Sequence, residues 1–567
     1  MRLIFSISFR CLLLSAVSAM CMADQSELKQ PVTGSERGQK VIDAAFRTAV
    51  NVTVKIRCGS NESSGVVISK SGLILTVAHG VQIPQSETKH SEGTAEHNPA
   101  IEVTLPDRTV LKAKLVASDS DFDIALLQSE RTEEARISEA AVISSGTGPR
   151  IGDVVLAAGF PGRETFGSSV VRIGSVMDAD EEQFRSGCML TSGDSGGAVV
   201  DSSGAVIGLN RRIGINADQN FHIPLRRIQT FLKSTPECSN LINWQKSQPT
   251  QRLSLQPSNE SLSAIRERSV RIFRDGENPA NSDPTAAGTG FSDLVVTKLS
   301  QILNAQNADQ EFLCELPNGD IRTGSIIHRN LPLDLAVLQL SPRSAAFNTR
   351  SIDQNVSETL SSDDVSETCS AGLIVCSRCD LAEGIVSRCG YTEPGVSAEF
   401  GATAATNERN ETYLTEVAVG SAAADAGLTE GDRLISMQNT VIRNADQAAA
   451  LTAQMQPGDW LNVVMERNQQ LSKHACQLKF PPETRLMRSE NLDGHNGGVS
   501  RRRTGFHGVI QHDTPISPED CGGPLVAADG RLVGINIARR SRESTLAIPV
   551  ETVHRLLSEI RNGHRTE

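Results

Sequence analysis

Between residues 50 and 225 the chain alternates short apolar, β-branched runs with Gly, Asn, Asp and Ser: NVTVKI at 51–56, SGVVIS at 64–69, GLILTV at 72–77 and DVVLAAG at 153–159. Runs of this length, punctuated by turn formers, predict the strands of a barrel or sandwich. Helical spacing is confined to the flanks. VIDAAFRTAV from Val41 can present one apolar face, and PLRRIQTFLKS from Pro224 opens with Pro where a first helical turn tolerates it.

Large parts of this segment recur later in the same order. GLILTVAHGV at Gly72 matches DLVVTKLSQI at Asp293, and LPDRTVLKAKLVASDSDFDIALLQ at Leu105 matches LPNGDIRTGSIIHRNLPLDLAVLQ at Leu316 without a gap. GDSGGAVVDSSGAVIGLN at Gly193 matches EDCGGPLVAADGRLVGIN at Glu519, and FHIPLRRIQTFL at Phe221 matches LAIPVETVHRLL at Leu546. The repeat predicts two units of one fold.

The spacing differs in one place. Asp123 and Ser195 lie 72 residues apart, whereas their counterparts Asp334 and Cys521 lie 187 apart, which leaves room for an inserted domain. The insertion includes a strand-like start at YLTEVAV, an Ala-rich segment, a Gly-Asp turn at GDRLISM and a second amphipathic helix, and it resembles a PDZ domain. The expected organisation is an export signal at 1–23, a first unit at 40–235, a linker at 236–262, the first part of the second unit at 263–389, a PDZ domain at 390–480, a linker at 481–503 and the remainder of the second unit at 504–560. The run Arg501-Arg502-Arg503 is expected to be solvated linker.

Composition narrows the class. With 67 acidic against 55 basic residues, a net charge of −12 supplies no counterion-releasing excess for a polyanion, so nucleic acid is not an expected partner. The first residues, MRLIFSISFRCLLLSAVSAMCMADQ, place two arginines and a short apolar stretch before small residues. That is the pattern of an export signal cleaved near Ala19 or Ala23, and the apolar stretch is short for a membrane span. An uncleaved anchor is the alternative, while Met20 before Cys21 argues against lipidation. No membrane role beyond export is expected. Of the twelve cysteines, Cys369, Cys376, Cys379 and Cys389 cluster, but a second pair at zinc-ligand spacing is missing. Disulfides or buried thiols are expected there, with no metal and no cofactor.

The candidate chemistry lies in the first unit. GDSGG at 193–197 puts a serine in a glycine-flanked turn, where backbone N–H groups can converge on a developing oxyanion. A serine hydroxyl needs a neighbouring base, and the base needs an orienting carboxylate. TVAHG supplies His79 after an apolar strand, and DFDIALLQ supplies Asp123 at the start of another. A structural turn or a core histidine explains either motif alone; the ordered set of His79, Asp123 and Ser195 points to catalysis.

SSGVVISKSGLILTVAHGV, SDFDIALLQ, VVLAAGFPG and GDSGGAVVDSSGAVIGLN resemble the HtrA (DegP-like) group of trypsin-like serine proteases over residues 40–235. The resemblance implies two perpendicular β-barrels with the triad in the cleft between them, and with the internal repeat and the insertion the expected fold is mainly β: two tandem trypsin-like double β-barrel domains, the second interrupted by an α+β PDZ domain. It implies an oxyanion hole at Gly193, Asp194 and Ser195, with the N–H groups of Gly193 and Ser195 as donors. Asp194 stands where the group usually has Asn. An acid at this position is similar to the pattern of the zymogen-activated digestive enzymes, but no Ile-Val-Gly-Gly activation site lies upstream, and the expectation for it is a local turn or capping role.

In the second unit Ser300 stands at the His79 position, Asp334 is retained and Cys521 stands at the Ser195 position, so a degenerate site is expected. A displaced His328 or His512 beside Cys521 would alter that. The implied function is an exported, periplasmic or secreted serine endopeptidase acting on unfolded or misfolded proteins, with protein or peptide substrates. The PDZ domain is expected to take a C-terminal peptide through the EPGVSAEFG loop before Ala402 or to serve as a packing module. The alternative is a non-enzymatic protease-like scaffold or chaperone. A homo-oligomer is an expectation by resemblance alone.

Overall fold

The computed structural model describes residues 35–82, 100–130, 137–162, 169–238, 242–245, 253–274, 276–303, 311–341, 369–378, 383–481 and 498–563. The export signal and Cys379 therefore lie outside the described residues. Among the described residues the strands form four closed six-stranded arrangements and the sheet of the insertion, the second arrangement being extended by the short strands Ile143–Ser144 and Trp244–Gln245. The first barrel runs from Thr53–Cys58 to Ile124–Ser129, and the second from Val154–Gly159 to Asn220–Pro224, closed by pairing of Ala198–Asp201 with Val206–Ile213. The third runs from Ser269–Arg274 to Leu335–Ser341 in the same strand order as the first, and the fourth, from Ile374–Cys376 to Ser544–Pro549, repeats the order of the second. The repeated sequence thus folds twice into the same topology.

The expected flanking helices are present, at Glu36–Val52 and Leu225–Ser234. Ser35 Oγ accepts the N–H of Gly38 and caps the first, whose Ile42, Ala45, Phe46, Ala49 and Val52 recur at helical spacing and are buried. This helix joins the two units. Gln39 donates from Nε2 to the Gly372 carbonyl (2.8 Å) and accepts the Ile374 N–H (2.8 Å). Ile374, Ile385 and Ala528 of the fourth barrel lie in the same buried apolar cluster as the core of the second, so no solvent layer separates the units.

The insertion forms a five-stranded antiparallel path with Ala402–Thr406 at one edge, a short added strand at Thr440–Val441 and helices at Ala422–Asp425 and Ala445–Ala453. Two boundaries move. Gly384–Glu393 is a fourth-barrel strand, with Tyr391 paired to Val509 and Glu393 to Phe506, so residues 390–393 belong to the barrel. The arginine run is solvated only in part, with Arg501 exposed and Arg503 half-buried. Arg502 is buried, pairs with Asp459 (2.7 Å) and donates to the carbonyls of Leu331 (2.7 Å) and Pro332 (3.1 Å). Burying a guanidinium is tolerated because these acceptors replace water. In the cysteine cluster, Cys369 and Cys389 form a disulfide, and the Cys376 thiol is buried and donates to the Arg378 carbonyl (3.2 Å). Among the described residues no group of three or more His, Cys, Asp or Glu could hold a metal ion.

Candidate active site

His79 lies in the single helical turn Ala78–Gly80 that follows the strand Leu73–Thr76, and Asp123 directly precedes Ile124–Ser129, to which that strand is paired. Asp123 adopts φ +59°, a left-handed conformation rare outside Gly, Asn and Asp. This turns its carboxylate back onto the preceding turn. Oδ1 accepts the His79 backbone N–H (3.1 Å), and Oδ2 lies 2.9 Å from His79 Nδ1, which fixes the imidazole and leaves Nε2 directed elsewhere. Burial pushes the Asp123 carboxyl up, but the bonds from His79 and from Arg211 outweigh it and hold it below the usual carboxylate range.

Ser195 sits on a turn shaped by glycine. Gly193 has φ +98°, and a Cβ there would lie 2.3 Å from the Phe160 carbonyl oxygen. Ser64, from the first barrel, grips the turn from behind: its Oγ donates to Gly193 O (2.8 Å), and its N–H donates to Ser195 O (2.8 Å). Ser195 Oγ itself donates to the carbonyl of Arg211 (2.9 Å), not to the His79 ring. The Arg211 side chain returns to the same site, its Nε 3.1 Å from Asp123 Oδ2. The structure therefore joins His79 to Asp123 directly and reaches Ser195 through Arg211, a residue the sequence did not single out.

Asp194 does more than the turn role expected of it. Its Oδ2 accepts the Thr191 N–H (2.8 Å), a local turn bond, but its Oδ1 also pairs with Arg172 Nη1 at 2.8 Å, with both side chains essentially inaccessible to solvent. Burial pushes the Asp194 carboxyl up, and Arg172 opposes that shift. The signal available in the sequence was a lone arginine inside the apolar run VVRIG.

The equivalent site in the second unit has the same scaffold. Asp334 has φ +55°, and its Oδ1 accepts the Ser300 N–H (2.7 Å) while Ser300 Oγ donates to Oδ2 (2.7 Å). A buried Lys298 ammonium lies 3.4 Å from the same carboxylate. Cys521 is buried, with Ser500 Oγ 3.5 Å from its sulfur. Burial pushes its thiol up, against the pull of Lys298 and Ser500. Neither candidate histidine serves it. His512 bonds through Nε2 to Asn536 (3.0 Å) and burial lowers it to about 3, while His328 pairs across from Val337 in the third barrel.

Fold and site together define a trypsin-like peptidase domain: the family model of that description matches residues 63–209, and a PDZ domain model matches residues 393–466. The chain contains both domains, and its curated relatives are serine proteases of the HtrA type. Serine endoprotease DegS of Haemophilus influenzae is 30% identical over 29% of this chain and 47% of its own length. The periplasmic pH-dependent serine endoprotease DegQ of Escherichia coli is 30% identical over 30% of this chain and 36% of its own. The chain thus spans half or less of the length of these two relatives. A solved serine endoprotease from Yersinia pestis aligns over 78% of this chain and 98% of its own at 16% identity, with a TM-score of 0.29.

Proposed function

We propose that the chain is an exported serine endopeptidase that hydrolyses peptide bonds in unfolded or misfolded proteins through His79, Asp123 and Ser195. The observation that carries this reading is the His79–Asp123 hydrogen bond set beside a serine on a glycine-shaped turn. In the reaction Ser195 Oγ rotates from the Arg211 carbonyl to His79 Nε2, which takes its proton as Oγ attacks the substrate carbonyl. Asp123 holds the imidazole in the productive tautomer, and the N–H groups of Gly193 and Ser195 receive the oxyanion. His79 then protonates the leaving amine, and water releases the acyl group by the reverse proton path. The third and fourth barrels are a protease unit that has lost this chemistry.

The PDZ domain takes a C-terminal peptide as an added strand. Ala402–Thr406 supports this, because among the described residues it pairs on one side only, with Thr412–Val417, beside the helix Ala445–Ala453. A fluorophosphonate should label the mature protein at Ser195, and casein should be cleaved. Ser195→Ala should abolish both, with a loss of about a millionfold in turnover. An unlabelled protein that leaves casein intact sinks the reading. The position of Ser195 Oγ on Arg211 favours a second reading, a binding scaffold held in an inactive geometry, which expects unfolded-protein binding without labelling and indifferent to Ser195→Ala.

A further inference from the structure

The units meet through matching parts. Val170–Ala179 of the second barrel packs on Gly384–Glu393 of the fourth, and these strands occupy the same place in their respective strand orders. The hairpin joining Val206–Ile213 to Asn220–Pro224 likewise meets the hairpin joining Leu532–Ser541 to Ser544–Pro549. Equivalent surface against equivalent surface is the geometry of an isologous dimer, here made within one chain.

Three buried side chains of the second unit reach across this seam into segments that flank Ser195. Asp513 accepts the Ile173 N–H on Oδ2 (2.7 Å) and the Ile385 N–H on Oδ1 (2.6 Å), so one carboxylate stitches the two facing strands together. Ser387 Oγ donates to the Val171 carbonyl (2.6 Å). Between these two tethered residues lies Arg172, the counter-ion of Asp194. Arg542, at the tip of its hairpin and 1% exposed, donates to the carbonyls of Gly214 (3.2 Å), Asn216 (3.1 Å) and Ala217 (3.4 Å) and to Asn220 Oδ1 (3.3 Å). Asn220 Oδ1 also accepts the Leu190 N–H (2.9 Å), which ties the loop to the segment leading into Gly193.

We infer that the second unit is a clamp built into the active site, with Asp513 and Arg542 as positioning residues that hold the Arg172 strand, the 189–194 segment and the 214–220 loop around Ser195. A merely adjacent domain would not place a single buried guanidinium on four acceptors of one loop. Those acceptors converge because the loop is folded on itself: the Asn216 carbonyl also accepts the Gln219 N–H (3.1 Å), and the Ala217 carbonyl accepts the Asn220 side-chain amide (2.6 Å). Arg542 therefore locks a loop conformation rather than a single bond. The clamp rests on the protease reading for its catalytic consequence but not for its structural one, and the test separates the two.

In the full-length mature protein, Arg542→Ala should leave the cooperative thermal transition in place. Phosphonylation of Ser195 by the fluorophosphonate, with fluoride leaving, should slow by roughly a hundredfold, the scale expected when reacting groups are misplaced by an ångström. Arg542→Lys should fall between, since a point charge cannot serve four acceptors spread over a loop, and millimolar guanidinium should restore part of the alanine variant's rate. In a Ser195→Ala background, amide exchange at Ile173, Leu190 and 214–220 should accelerate with Arg542→Ala and Asp513→Ala. If Arg542→Ala does not fold, the lysine variant carries the same comparison. Unchanged exchange at these amides together with an unchanged labelling rate overturns the clamp. A parent protein that is never labelled overturns the protease reading instead, and the exchange arm then decides the clamp alone.

Discussion

The site at Ser195 and the site at Cys521 are built on the same frame and diverge in what the frame carries. Both have an aspartate at positive φ that accepts the backbone N–H and a side-chain bond of the residue at the base position, His79 in one and Ser300 in the other. In both, an aspartate precedes the nucleophile position and pairs with an arginine, and an asparagine bonds a buried histidine: Asn210 with His222, Asn536 with His512. The arginines come from different places, Arg172 from a barrel strand and Arg378 from the segment after Ile374–Cys376. The turn itself differs most. Gly193 holds φ +98° in the first site, while Glu519, its counterpart, lies in the helical turn Pro518–Asp520. The hydrogen-bonded frame persists although the residues at the proposed base, nucleophile and oxyanion-turn positions all differ, because the aspartate bonds the backbone N–H of whichever residue stands at the base position and the buried Asn–His pair lies outside the proposed triad.

The comparison is broken most severely at the arginine–aspartate pairs. Arg172→Met leaves Asp194 as a buried charge without its counter-ion, a loss of about 3–5 kcal/mol that urea denaturation would read, together with lost labelling of Ser195. Arg378→Met in the second site should cost at most about 1 kcal/mol, because Arg378 is 40% exposed and water screens its pair. Equal costs would show that the two pairs are interchangeable supports. Next in size is Gly193→Ala. Its Cβ would have to displace the Phe160 carbonyl and the residue would have to hold a strained backbone, for about 1–3 kcal/mol and a collapse of the fluorophosphonate labelling rate. Glu519→Ala should leave stability within experimental scatter, since no positive φ is required there.

The frame was legible in the sequence where it is made of neighbours, and illegible where it is made of partners far along the chain. Alternating apolar runs and the internal match gave both units, and the spacing between Asp334 and Cys521 exposed the insertion. His79, Asp123 and Ser195 stood out because each sits on a local motif. Arg172 and Asp194 lie 22 residues apart with no periodic relation, so Asp194 read only as a turn residue. Arg501-Arg502-Arg503 read as solvent-facing because a charge run usually is, yet the acceptors that bury Arg502 come from Leu331, Pro332 and Asp459. The boundary at 390 failed for a related reason: the strand to Glu393 is recognised by its partner Phe506, more than a hundred residues on.

A smaller effect is expected at the thiol. Burial pushes Cys521 up from the ordinary thiol range, so at pH 8 it stays protonated and covered by Ser500. Iodoacetamide should modify it slowly in the native protein and at the rate of a free thiol in denaturant. Fast native modification, rising with pH as an accessible thiol does, would mean that the second site retains a usable nucleophile.

The smallest expected effect is the most informative about the frame. In a Ser195→Ala background, the combined substitutions Ser300→His, Glu519→Gly and Cys521→Ser restore the side chains of the first site at its base, oxyanion-turn and nucleophile positions. No fluorophosphonate labelling should result. Lys298 lies 3.4 Å from the Asp334 carboxylate and donates to the carbonyls of Arg502 (2.8 Å) and Ile537 (2.6 Å), so the carboxylate has a buried counter-ion before an imidazole could use it. Trp460 of the PDZ domain donates from its indole N–H to the Ser300 carbonyl (3.3 Å), fixing that turn. Position 521 is fully buried beside Ser500, so a hydroxyl placed there meets protein rather than reagent. Labelling of the reconstructed site would mean that three side chains are the whole difference between the two units; its absence assigns the difference to Lys298, Trp460 and Ser500, the residues packed around the second site.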